Sequence, residues 1–236
     1  MYKNHKTFVT PEVKLIDLIL DNYTFLLLLE NFKIDFSVGE NTIKDICIKY
    51  SLDIDAFLII ANLYNGFFPD KKHNLSIESI KTIIFFLKNS HKFYLHDKYP
   101  ELKNYIEILR ANSNSDEIKL IETFFNDYFK EVREHLDYED TVAFPYFHSL
   151  IDSKSLTINN DFTVKNYITH HTDIETKIED LKSLFLKHLK INAQLSTKRK
   201  FLNSLFGLEF DLKIHSIIEE EILIPLIKEL ETKQNG

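Results

Sequence analysis

Two stretches of the sequence share one arrangement of residues: HLDYEDTVAFP, from His135 to Pro145, and HSIIEEEILIP, from His215 to Pro225. Each consists of a histidine, three residues, a glutamate, five residues and a proline. Residues four positions apart lie on the same face of an α-helix, one turn from each other. The repeat therefore predicts two helices that each direct an imidazole and a carboxylate towards one site.

Both pairs interrupt an apolar stripe that recurs at steps of three and four residues. On one helix the stripe consists of Ile121, Phe125, Tyr128, Val132, His135, Glu139, Val142 and Tyr146. On the other it consists of Leu205, Leu208, Leu212, His215, Glu219, Ile222 and Leu226. A stripe with this spacing faces the core of a helical protein. A carboxylate there is costly unless it is paired, protonated or bound to a metal ion, so both glutamates need a partner.

The rest of the sequence favours an all-α protein. Only 4 glycines and 5 prolines occur, and long segments rich in Leu, Ile, Lys and Glu alternate with short breaks rich in Ser, Asn and Asp, which favour turns and N-caps. Four long helices are predicted, at roughly residues 76–110, 115–149, 161–191 and 196–232. Short connections between long helices make neighbours antiparallel. We therefore expect an up-down-up-down four-helix bundle over residues 76–236.

A small helical domain is predicted to precede the bundle, over residues 1–70. Shorter helical patterns cover residues 13–32, 42–50 and 54–64, with a turn at SVGEN. The segment NGFFPDKKHN that follows combines glycine, proline and a cluster of charges, which suits a linker. The chain is thus expected to contain two domains, at 1–70 and 76–236.

The first and third long helices each carry one histidine on the inward stripe, His91 and His171. Counted from turns near residues 112, 155 and 194, histidines on consecutive helices differ in height by at most 4 residues, which is about 6 Å. Single histidines on apolar faces are usually hydrogen-bonded core residues, so a structural polar network is the alternative. Six polar residues at one height in the core favour a carboxylate-bridged dinuclear metal site instead. They are His91, His135, Glu139, His171, His215 and Glu219.

Charge and cysteine content exclude several classes of protein. The net charge is −7 with acidic and basic residues interspersed, which argues against nucleic acid as a partner. The only cysteine is Cys47, and the N-terminus lacks the apolar core of a signal peptide, so a cytoplasmic location is expected. The most apolar early segment is interrupted by charges, so no membrane span is expected. No phosphate-binding loop or catalytic nucleophile motif occurs, and whether the protein is an enzyme stays open.

The repeated His-x-x-x-Glu motif followed by an apolar stretch and proline resembles that of the hemerythrin-like (HHE cation-binding) family. Over its whole length the chain resembles the repair-of-iron-centres members of that family, which are di-iron proteins associated with nitrosative and oxidative stress. SHKFYLHDKYPEL resembles the first-helix histidine segment of these proteins, and HHTDIETKIEDL resembles the third-helix segment. The resemblance implies two non-haem iron ions as cofactors, held by all six residues, with Glu139 and Glu219 as bridges. It also implies that the proline after each pair marks the end region of its helix.

Two departures from the family pattern affect the expected function. Ser37 and Val38 stand where the family usually has adjacent cysteines, and residues 97–115 contain no histidine where the family usually supplies one more. The resemblance implies a role in repairing iron–sulfur centres or in the response to nitrosative or oxidative stress. The alternative is a sensor or carrier of O2 or NO that signals through the N-terminal domain. Expected partners are O2 or NO and damaged iron–sulfur proteins, with a homodimer as a further option.

Overall fold

A computed structural model describes residues 6–68, 75–112, 116–152, 163–170, 175–187 and 194–235. Within these ranges the protein is all-α, as predicted. No β-strand occurs in them, and the one extended pairing is an isolated antiparallel bridge between Lys14 and Thr42. None of the helices in the described part of the chain combines the length and apolar composition needed to cross a bilayer.

The chain divides into two compact units. The first comprises Met1–Ser90, Leu150–Lys154 and Ser216–Gly236, and the second comprises His91–Ser149 and Ser155–His215. The boundary predicted between the N-terminal domain and the bundle falls at residues 69–74, which lie outside the described residues, so it stays a prediction.

Four short helices form the N-terminal part of the first unit: α1 (Leu15–Asp21), α2 (Phe25–Asn31), α3 (Ile43–Tyr50) and α4 (Ile54–Tyr64). The prediction of one helix over residues 13–32 is wrong, because the chain breaks between α1 and α2. The side-chain oxygen of Asn22 accepts hydrogen bonds from the backbone N–H and the hydroxyl of Thr24, at 3.2 and 2.8 Å. Such local bonds from asparagine compete with helical backbone bonds and favour a turn.

Side-chain caps define where α3 and α4 begin. Thr42 and Asp45 form a reciprocal capping box at the start of α3, which satisfies two backbone groups that a helix terminus leaves unpaired. Asp53 caps α4 by accepting from the N–H of Ala56 at 2.9 Å, and it also accepts from the hydroxyl of Ser79 at 2.8 Å. The same carboxylate therefore starts one helix and ties it to the next long one.

The remaining helices are α5 (Ile77–Phe93), α6 (Tyr99–Asn112), α7 (Asp116–Tyr138), α8 (Phe144–Ile151), α9 (Val164–His170), α10 (Glu175–Lys187), α11 (Leu195–Ile217) and α12 (Ile224–Asn235). They fall within the long helices predicted from the sequence, or extend them by a few residues. The core of the second unit is built from apolar side chains of α6, α7, α10 and α11. The connections at 113–115, 153–162 and 188–193 lie outside the described residues, so the up-down-up-down order stays a prediction.

Three π-helical segments interrupt the long helical runs: π1 (Tyr94–Lys98), π2 (Glu139–Ala143) and π3 (Ile218–Leu223). A π turn accommodates one more residue than an α turn, so it shifts the buried face of everything that follows. Val142 and Leu226, which were predicted on the inward stripes, are only partly buried, whereas Ala143 and Ile227, one position later, are fully buried. The predicted stripes are therefore wrong at Val142 and Leu226, whereas Tyr146 and Ile222 are buried as predicted.

The prolines of the two motifs do not mark helix ends. Pro145 is the second residue of α8 and Pro225 the second residue of α12, and both helical runs continue beyond them, to Ile151 and Asn235. The expectation that these prolines stand in the end region of a helix is therefore wrong. Each follows a π segment, in which the helix widens before it returns to the α form.

The thiol of Cys47 is predicted to be unreactive in the folded protein. Its side chain is 2% exposed, and burial, aided by the negative charge of Asp53, raises the pKa of the thiol to about 12. Because the thiolate is the reactive form, a thiol reagent such as DTNB should not label the native protein at pH 8. It should label about one thiol per chain in 6 M guanidinium. Rapid labelling of the native protein would contradict the buried position of Cys47.

Candidate metal centre

Four buried side chains form a cluster that could hold a metal ion: His91, Glu139, His215 and Glu219. Each offers one ligand atom, and these atoms all lie within 4.8 Å of one another. His91 lies near the end of α5, Glu139 begins π2, and His215 and Glu219 are one turn apart on the run from α11 into π3. Four of the six predicted residues are thus brought together.

The two histidines of the cluster present the same ring nitrogen to each other. His91 Nε2 and His215 Nε2 are 3.4 Å apart, and Glu139 Oε2 is 3.4 Å from His91 Nε2. The ring of His91 stacks on Phe144, with centroids 5.6 Å apart and planes inclined by 20°. This stacking restricts rotation of the ring, so Nε2 stays directed at the carboxylate.

His135 and Tyr167 contact the other oxygen of Glu139. His135 Nε2 is 3.2 Å from Glu139 Oε1, and the hydroxyl of Tyr167 donates to the same oxygen at 2.6 Å. Tyr167 lies in α9, one turn before His171 in the sequence. His171 itself lies outside the described residues, so its role as a ligand stays a prediction.

One aspartate contacts a histidine of the cluster, and a second binds a tyrosine that packs against the other histidine. Asp140 Oδ1 is 3.3 Å from His91 Nδ1, on the side of the ring that faces away from Glu139. Asp211, one turn before His215, accepts from the hydroxyl of Tyr94 at 2.6 Å, and the ring of Tyr94 packs edge-on against His215. A carboxylate in the position of Asp140 fixes the orientation of a metal-binding imidazole and increases its basicity.

Asp140, Asp211, Tyr94 and Tyr167 were not predicted from the sequence as part of the site. The spacing of two of them could have indicated their role. Asp211 and Tyr167 each stand four residues before a predicted ligand in the sequence, a spacing that puts residues on one face of a helix. Tyr94 stands six residues before Pro100, as Glu139 stands before Pro145, but a tyrosine does not by itself indicate a metal site. His96 and His148, which lie on the same helical runs as His91 and His135, are exposed and stand outside the cluster.

The electrostatics of the cluster favour an ion pair when no metal ion is bound. Burial lowers the pKa of His91, but its contacts with Asp140 and Glu139 outweigh burial and raise the pKa to about 9. For Glu139, burial raises the pKa, while His135 and His91 together hold it well below its usual range. A carboxylate surrounded by imidazoles in a buried position is thus kept ionised.

The donor set fits a metal ion. Imidazole nitrogen and carboxylate oxygen together suit iron, manganese and zinc, and the ligand atoms of this cluster face one another within the distance that ions of this size require. Buried carboxylates are otherwise costly unless they are paired, and a cation would stabilise both Glu139 and Glu219. The residues present are therefore compatible with a transition-metal site.

No model of a known protein family matches the chain, and no match is found among curated proteins. The hemerythrin-like resemblance consequently rests on the motif residues themselves.

We predict that the metal-free protein loses stability as the pH rises from 6.5 to 9. The folded pKa of His91, about 9, lies above the ordinary value of 6.5, so its contribution to the free energy of unfolding is complete below pH 6.5 and is lost as the pH passes through 9. Urea unfolding midpoints measured on metal-free protein across this range should fall. His91→Gln should remove most of the decrease, whereas His96→Gln, a change at an exposed histidine, should retain it. Equal slopes in both variants would show that His91 is not the source.

Proposed function

We propose that this protein is a non-haem di-iron protein whose two ions share the carboxylates of Glu139 and Glu219. The observation that carries the proposal is the buried cluster, in which two glutamates and two histidines direct ligand atoms at one point. His135, which contacts Glu139, and His171 would complete a set of six ligands. Four imidazoles and two bridging carboxylates leave coordination positions for small molecules.

The arrangement of the long helices supports a hemerythrin-like bundle as the fold of residues 76–236. Three runs, at 77–112, 116–151 and 195–235, are each long enough to form one helix of such a bundle. Helices α6, α7, α10 and α11 share one apolar core, as the helices of a bundle do. The predicted ligands would then lie on the inner faces of neighbouring helices.

The protein residues around the ions would orient the ligands and exclude water. Tyr167 donates a hydrogen bond to Glu139, which limits rotation of that carboxylate. Asp140 contacts the outer nitrogen of His91 and leaves the inner nitrogen free to face the site. Iron would supply one-electron redox chemistry and affinity for O2 or NO. Because His91 and Glu139 are fully buried, only small molecules would reach the ions.

We propose a role in repairing iron–sulfur centres, or more broadly in the response to nitrosative or oxidative stress. This step rests on the resemblance to the repair-of-iron-centres proteins. The thiol chemistry associated with the cysteine pair of that family has no counterpart here, because Ser37 and Val38 occupy those positions and the thiol of Cys47 is buried. Any repair activity of this chain would therefore depend on its metal centre.

Protein isolated from iron-replete cells should contain about two iron ions per chain, since the ligand set is that of a metal pair. Glu139→Ala and Glu219→Ala should each reduce the iron content to near zero, because removing a bridge releases both ions. Glu134→Ala and Glu221→Ala are matched controls, since both side chains are exposed on the same helical runs, and they should retain the full content. Elemental analysis checks this, and two ions in either bridge variant would show that the bridge assignment is wrong.

Repair and sensing predict different results for the full-length protein. If repair depends on the iron centre alone, Cys47→Ala should restore an NO-damaged iron–sulfur enzyme at the rate of the unchanged chain. If the protein is instead a sensor, hydrogen exchange of residues 13–64 should differ between the oxidised, reduced and NO-treated forms, as a ligand-shifted equilibrium requires. State-dependent exchange without repair would favour the sensor, and repair with unchanged exchange would exclude it.

A further inference from the structure

Three of the five prolines in the chain occupy the same place relative to a π segment. Pro100, Pro145 and Pro225 each stand two residues after the last residue of π1, π2 and π3. π-helices account for well under 1% of residues in globular proteins, so three such coincidences within the described residues call for a common cause.

The backbone hydrogen bonds of the three segments are also equivalent. The residue before each proline donates to the carbonyl five positions earlier: Tyr99 to Tyr94, Phe144 to Glu139, and Ile224 to Glu219. Two of these carbonyls belong to the glutamates of the proposed metal site. In π2 and π3, the hydrogen bond that closes the wide turn is therefore accepted by the backbone carbonyl of a proposed ligand residue.

Proline explains why the helix widens at these points. It has no backbone N–H, and in an α-helix its ring clashes with the carbonyl four residues earlier. An α turn at Pro145 would thus lose one hydrogen bond and also suffer the clash. A π turn loses one bond at the same proline but moves the carbonyl out of the way. Pro100 and Pro225 are exposed and Pro145 is partly buried, so burial of the rings does not account for their positions.

Three side chains in π2 or directly after it contact His91. Glu139 lies 3.4 Å from Nε2 of that ring, Asp140 lies 3.3 Å from Nδ1, and Phe144 stacks on its face. Consecutive residues of an α-helix point about 100° apart, whereas a wider turn separates them by a smaller angle. Two consecutive carboxylates can therefore reach the two nitrogens of one imidazole. In an α turn, Phe144 would also rotate away from the ring.

We propose that Pro145, and Pro225 in the same way, is a positioning residue for the metal centre: by imposing a π turn, it sets the directions of the glutamate and of the side chains that follow it. The proposal rests on the proposed metal site for its functional meaning. Its backbone part, that proline causes the wide turn, stands without any metal ion.

The test uses full-length Pro145→Ala with Co(II) as the probe. The alanine restores an N–H, so the Phe144 amide should bond to Asp140 in an α turn rather than to Glu139, which a crystal structure of the variant would show. Co(II) should bind about 10- to 100-fold more weakly, as is typical when outer contacts of ligands are removed, and its visible bands should shift. Pro11→Ala, which changes a proline far in sequence from any π segment, should alter neither result.

A rescue variant covers the case in which Pro145→Ala does not fold. Deleting the exposed Thr141 together with Pro145→Ala removes the one residue that the α turn cannot accommodate. This double variant should fold and return Phe144 to its buried position, whereas deleting Thr141 alone should not. Its Co(II) affinity should stay below that of the unchanged chain, because Glu139 and Asp140 no longer lie in a wide turn.

Three results would overturn the proposal. They are a retained π turn in Pro145→Ala, an α turn with unchanged Co(II) affinity, and a folded double variant with the Co(II) affinity of the unchanged chain. If the unchanged chain binds no Co(II), the proposed metal site fails instead, and the hydrogen bond of Phe144 still tests the role of the proline.

Discussion

The carboxylate of Glu139 is fully buried and ionised, and the positions of several elements depend on keeping it so. His135 comes from the same helical run, His91 from the run before it, and Tyr167 from α9, and all three contact this one group. Removing a partner from a buried charge is far more costly than removing a surface contact, because the remaining charge is left unpaired. The three elements are therefore coupled through one side chain, and a network of this kind gives the site a single arrangement.

A second constraint acts on the backbone, and it links the geometry of the cluster to the packing of the core. At π2 and π3 the helix gains one residue per turn, which shifts the buried face, so that Val142 and Leu226 are only partly buried. Ala143 and Ile227 are fully buried in consequence. The same local rule thus sets both the direction of the proposed ligands and the phase of the apolar face beyond them.

The chemistry available to the protein follows from which reactive groups are buried and which are exposed. The single thiol lies in the interior with its pKa raised to about 12, whereas Ser37, in the segment compared with the family's cysteines, is exposed and has no redox chemistry of its own. The histidine and glutamate cluster is the part of the described chain that could hold a metal ion. The proposed function follows from this distribution as much as from the motif.

The sequence by itself determined the all-α class, the outer bounds of the long helical runs, and six candidate residues that include the four of the cluster. These depend on local periodicity and on pairs one turn apart. It did not reveal the break at Asn22 or the π turns, since a helical pattern looks the same whether its backbone bonds span four residues or five. The partners of the cluster residues, such as Asp140 beside His91 and Tyr167 on Glu139, were decided only by the tertiary structure. They come from neighbouring helices, and which side chain reaches a buried atom depends on how those helices pack, which periodicity within one helix does not specify.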